Sequence, residues 1–128
     1  MKRLIPVAVL VCALALVTGA MAASPLTGQY QAHVSRAGSL NGTWILTFSA
    51  NGFYTVAKKP KTSTVLSGGG STVSGKTITL FDHSGPMACK TPAQYTFAVS
   101  GKSLRFTKVT DTCSGRLALL GSGWTKVG

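Results

Sequence analysis

The chain has 128 residues, with 13 Lys and Arg against two acidic residues and a formal net charge of +11 at neutral pH. At 45% hydrophobic and 12% charged residues, with three cysteines, it is neither a disordered polyelectrolyte nor a disulfide-dense miniprotein. Glu is absent, so Asp82 and Asp111 are the only side-chain carboxylates, which leaves no other choice of acid–base pair for carboxylate catalysis.

The N-terminal segment reads as an export leader. Lys2 and Arg3 precede an apolar run from Leu4 to Val17, and Ala20-Met21-Ala22 then has the small-x-small form of a secretory cleavage site. Residues 1–22 are therefore expected to be a signal peptide and residues 23–128 a single mature domain, secreted or periplasmic. Pro25 follows at once without a flanking positive stop, which argues against a membrane anchor. Cys12, preceded by the bulky Leu10 and Val11, lacks the small neighbours of a lipid-attachment cysteine. Cleavage removes Lys2 and Arg3, so the +11 of the whole chain falls to +9. It also removes Cys12, leaving Cys89 and Cys113 as an even pair bound for an oxidising compartment, where a disulfide is expected. Zinc bound by both thiolates with His33 and His83 would lack the close ligand spacings of known sites, so no metal or other cofactor is expected.

In the mature segment Tyr30, Ala32 and Val34 alternate and predict a first strand. Trp44, Leu46 and Phe48 share the face of a second, Asn51-Gly52 is a hairpin turn signal, and Phe53 to Ala57 returns the chain. Thr62 to Leu66, β-branched and alternating, predicts another strand broken by Gly68-Gly69-Gly70. Ser71 to Val73 predicts a short strand, and Ser74-Gly75-Lys76 separates it from Thr77 to Phe81. Tyr95, Phe97 and Val99 share a face, Ser100-Gly101-Lys102 turns the chain, and Leu104 and Phe106 return it. Leu117 to Leu120 is either a last strand or one helical turn before Trp124. The expected fold is all-β, an antiparallel meander of about seven or eight strands forming a small barrel or sandwich.

The basic residues are scattered, apart from Lys58, Lys59 and Lys61 around Pro60. That cluster has no interleaved aromatics and no nucleic-acid motif around it, so it reads as a solvated loop that also guards a strand edge. The overall charge points to anionic partners. Asp82-His83-Ser84 resembles a triad only on paper, because neighbours on an extended chain point to opposite sides and a triad needs convergence. With no G-x-S-x-G elbow, phosphate loop or metal-binding helix in the sequence, no enzyme is expected.

Gly42-Thr43-Trp44 opening a strand resembles the G-x-W signature of the lipocalin-like, calycin-type group. The order of elements is similar to small secreted bacterial domains of that class, where a GTW-type strand leads to an NG-type hairpin and a late D-x-C-x-G-R segment precedes a terminal Trp. Here these are Asp111-Thr112-Cys113-Ser114-Gly115-Arg116 and Trp124, and the resemblance runs from about Leu26 to Trp124. The domain is shorter than a typical lipocalin and shows no long C-terminal helix. The resemblance implies a barrel with Arg116 packed on Trp44, and Asp111 neutralising Arg116 from the other side, so that these residues and the disulfide close one end.

It also implies a non-catalytic binding module, with a small apolar ligand in an interior lined by Trp44, Leu46, Phe48, Tyr95, Phe97, Leu104 and Phe106, unless those residues simply fill it as a core. The alternative is a basic envelope or cell-surface interaction protein with a filled core. Its +9 surface, or a loop such as Phe81 to Pro92, would contact an anionic polymer, a lipid surface or a protein partner. Some secreted bacterial barrels of similar build inhibit proteases, although this sequence shows no inhibitory motif.

Overall fold

Antiparallel pairing of each strand with the next builds the molecule from eight strands. The computed structural model describes residues 26–127, and the predicted leader with its cleavage site lies outside the described residues. The strands are β1 (Gly28–Val34), β2 (Gly42–Phe48), β3 (Phe53–Lys58), β4 (Ser67–Ser74), β5 (Thr77–Ser84), β6 (Ala93–Ser100), β7 (Ser103–Thr110) and β8 (Trp124–Val127). A short helix α1 (Ser114–Leu120) sits between β7 and β8, and a 3-10 turn (Gly38–Leu40) sits between β1 and β2. β8 pairs back onto β1 through Gln29↔Val127, Tyr30↔Lys126 and Gln31↔Thr125, and the sheet closes into a barrel rather than a sandwich.

The period-2 pattern explains the wall. In β6, Ala93, Tyr95 and Phe97 are buried while Gln94, Thr96 and Ala98 face out, and β7 repeats this with Leu104 and Phe106 inward. Trp44, Trp124, Tyr30, Tyr95, Ile78 and Leu104 are among the most fully buried side chains. Edge-on ring contacts, Tyr30 with Phe48 at 6.2 Å and Tyr95 with Phe106 at 6.3 Å between centroids, tie neighbouring inner positions together. The expected interior positions from Trp44 to Phe106 are all buried.

Two elements depart from the sequence-based expectation. Thr62 to Leu66 is not a strand. It belongs to the connection from β3, where the Thr64 N–H turns back to the Lys61 carbonyl at 3.1 Å. The strand is instead the next segment, Ser67–Ser74, which runs through the three glycines expected to end it. A Cβ on Gly69 would lie 1.8 Å from the Phe81 carbonyl oxygen, so a residue without a side chain is what lets β4 approach β5 where their register shifts. Pairing geometry overrides the β-branched propensity of the preceding residues. Leu117 to Leu120 takes the helical alternative, within a helix that begins at Ser114 and buries Leu119 and Leu120. The last strand is β8, which starts at Trp124.

The up-and-down order separates the two ends of the barrel. Short turns after β2, β4 and β6 occupy one end, while the longer connections after β1, β3, β5 and β7, including α1, gather at the other.

Candidate functional site

Both carboxylates of the chain are buried at the α1 end. In β5 the inward series Ile78, Leu80, Asp82 carries the first acid into the interior, because the strand's alternation gives Asp82 an apolar position. Asp111 follows β7 directly and is equally buried. Between them stands Arg116, two residues into α1. Its Nε donates to Asp111 Oδ2 and its Nη2 to Asp111 Oδ1, both at 2.8 Å, and its Nη1 lies 3.4 Å from Asp82 Oδ2. Nη2 also donates to the Thr91 carbonyl at 2.6 Å. A guanidinium suits this place because its rigid fork serves a carboxylate side-on and still has donors left for carbonyls.

Each of the four carboxylate oxygens also accepts from one neutral donor. Tyr54 on β3 donates its hydroxyl to Asp82 Oδ1, and Tyr95 on β6 donates its hydroxyl to Asp111 Oδ2. The Cys89 N–H donates to Asp82 Oδ2 at 2.9 Å, and the Cys113 N–H donates to Asp111 Oδ1 at 2.9 Å. Each cysteine of the expected pair is thus anchored to one acid, and Cys89 and Cys113 form the disulfide across a Cα–Cα distance of 6.3 Å. Asp82, which the sequence reading left outside the expected closure, joins the same network through Arg116 and the Cys89 N–H. Its inward place in β5 is the signal that locates it.

Electrostatics follow from this packing. Burial pushes the Asp111 carboxyl up, but Arg116, the Tyr95 hydroxyl and the Cys113 N–H together outweigh burial and hold it below the ordinary carboxylate value. The Tyr95 hydroxyl is driven well above the ordinary phenol value, first by burial and then by Asp111. Burial works against the Arg116 cation, yet Asp111 and Asp82 leave it more firmly protonated than a free guanidinium.

The other sequence-predicted residues are placed as follows. The cation over the Trp44 ring is Lys58, with Nζ 5.6 Å from the centroid. Arg116 is instead committed to the two acids, so the expected guanidinium–indole stack is replaced. Fixed partners account for the exchange, since Arg116 meets two carboxylates in the interior, whereas the one hydrogen bond of the Lys58 ammonium among the described residues is to the Ser39 carbonyl, at 3.2 Å. The Trp44 indole N–H donates to the Leu40 carbonyl at 2.7 Å. Lys59 and Lys61 are exposed, as the solvated-loop reading requires. His83 and Ser84 face outward while Asp82 faces inward, so the three do not converge.

Next to the network lies a cavity of about 50 Å³ bordered by Trp44, Leu46, Phe48, Asp82, Arg116 and Trp124. Tyr95, Phe97, Leu104 and Phe106 do not border it and belong to the filled part of the core. The Trp124 Nε1 is one of two buried side-chain polar atoms without a hydrogen-bond partner among the described residues, the other being Thr27 Oγ1. Among the described residues no three His, Cys, Asp or Glu side chains gather as a metal site. No helix there is long and apolar enough to cross a membrane. Comparison with protein families, with curated proteins and with solved structures finds no match for this chain.

Proposed function

We propose that this is an exported, non-catalytic interaction protein of lipocalin-like build, whose largely filled barrel presents a cationic exterior to an anionic partner at the cell envelope. The observation that carries this reading is the burial of both Asp82 and Asp111 against Arg116. Apart from Arg116 and the half-buried Lys58, the cations from Arg36 to Lys126 are exposed, with no exposed side-chain carboxylate among the described residues. Every carboxylate oxygen is engaged by a tyrosine, a backbone N–H or Arg116, an arrangement that suits an architectural role for both acids. The disulfide fits an oxidising, extracytoplasmic compartment. The test is retention of the protein on vesicles containing anionic lipid or on an anionic cell-wall polymer, measured against ionic strength. Retention that falls steeply with salt supports the reading, and retention indifferent to salt removes it.

A second reading keeps a small apolar ligand inside the barrel. It draws support from the Trp124 Nε1, a buried donor without an acceptor beside the cavity. Size ranks it second: about 50 Å³ accepts only a few heavy atoms, whereas sites for drug-sized ligands run to about 300–1,000 Å³. Saturable quenching of tryptophan fluorescence by small apolar carbonyl compounds, weakened in Trp124→Phe, would raise it to first.

A further inference from the structure

On the outside of the barrel, β3, β4 and β5 carry an aromatic patch that the core does not use. Phe53 is 57% exposed and Phe81 39% exposed. Both are in register with Gly70, Phe53 from β3 and Phe81 from β5, so the two rings stand on one outer face with a strand lacking a side chain between them. Two strand spacings separate their Cα atoms by about 10 Å. The register shift of β5 against Gly68 and Gly69 turns the exposed His83 toward this gap, and its Nε2 lies 3.8 Å from where a Gly70 Cβ would be.

Gly70 is not demanded by its surroundings. A Cβ there would meet nothing nearer than 3.8 Å, and its backbone is outside the left-handed region. A glycine in the middle of a strand costs stability and often marks either a bulge or a place where something else approaches the backbone; the register shift lies between Gly68 and Gly69, which leaves the second reason for Gly70. The face is also free of negative charge among the described residues. Lys76 stands in the turn at one end of it, and Lys59 and Lys61 stand in the β3–β4 connection at the other.

We propose that this face binds an acidic polysaccharide. A sugar ring has an apolar C–H face and a rim of hydroxyls. Laid over Gly70, it would press its C–H face on Phe53 and Phe81 and present hydroxyls to His83 and Thr72. The acid groups of neighbouring sugars would extend toward Lys76 in one direction and Lys59 and Lys61 in the other, which is the charge complementarity that selects an acidic polymer over a neutral one. The proposal rests on the reading of the protein as a module for anionic partners and names the partner's chemistry.

The experiment compares binding of the exported protein to polygalacturonate and to polyglutamate of matched charge, at equal ionic strength. The variants are Phe53→Ser with Phe81→Ser, and separately Gly70→Thr. Wild type should bind the sugar polymer more tightly by about tenfold, on the scale of one ring-stacking contact. Both variants should lose that excess while keeping their polyglutamate binding, and Gly70→Thr should unfold no earlier than wild type. Equal affinity of wild type for the two polymers, or an excess that survives both variants, overturns the proposal and leaves the cationic-module reading standing. Failure of wild type to bind either polymer at low salt removes both.

Discussion

Arg116 and Asp111 meet side-on through two parallel hydrogen bonds of 2.8 Å, five positions apart in sequence and on opposite sides of the Cys113 bridgehead. Paired charges so deeply buried contribute little net stability as a pair, but either one alone is costly. Arg116→Ala leaves two carboxylates in the interior without their cation and should cost about 3–5 kcal/mol in chemical denaturation, a large part of a small domain's stability. Arg116→Lys should stay nearer to the alanine variant than to wild type, because an ammonium cannot serve both carboxylate oxygens side-on. A denaturation midpoint unchanged in Arg116→Ala would refute the closure role.

The two acids should not be equivalent. Asp111 has the bidentate contact, whereas Asp82 reaches Arg116 through a single 3.4 Å approach and is otherwise held by neutral donors. Two carboxylates around one guanidinium also leave a net negative charge, which Asp82→Asn removes while its amide oxygen still accepts from Tyr54. Asp82→Asn should therefore destabilise by about 1 kcal/mol and Asp111→Asn by at least twice that. Parallel urea titrations of the two variants decide the order.

Stability should fall at both pH extremes for separate reasons. Asp111 has a folded value below its unfolded one, so its contribution is present above the ordinary carboxylate value of 3.8 and is lost as pH falls through the depressed folded value. Tyr95 has a folded value above the ordinary 10.0, so its contribution is complete below 10.0 and is lost as pH climbs above it. Thermal unfolding from strongly acid to strongly alkaline buffer should show a plateau bounded on these two sides. Tyr95→Phe should extend the alkaline side.

The disulfide spans 24 positions, and closing a loop of that size contributes about 3 kcal/mol in the chain-entropy model. Reduction should lower the unfolding midpoint accordingly and loosen the two N–H bonds that Cys89 and Cys113 make to the acids. Free thiols in natively purified protein would show that the bridge is not formed.

Much of the barrel can be read from residues that alternate without interruption. Trp44, Leu46 and Phe48, and again Tyr95 and Phe97, declare their inner face because their neighbours are smaller or polar, Ile45 excepted, which is itself buried. The glycine strand cannot be read this way, since Gly68 to Gly70 has no side chains to alternate and its identity is set by the close approach of β5. In the site, the late Asp–Cys–Arg segment pointed to architecture, and its local members Asp111 and Arg116 do meet. Asp82 is 34 positions away from Arg116, and only the ring of strands brings them together. The exchange of Lys58 for Arg116 over Trp44 has the same origin, because the choice of cation depends on the competing partners each finds once the connections cross the barrel end.

Every strand of the ring is bonded to a neighbour on each side, so none among the described residues is a bare edge. The seam at β8 is nonetheless short, because β7 meets it only at Ser103 and Leu104 and runs on from Arg105 to Thr110 without a strand partner on that side. A molecule that lends a strand has its opening along that stretch, whereas the fully paired parts of the wall are read only by the side chains standing on them.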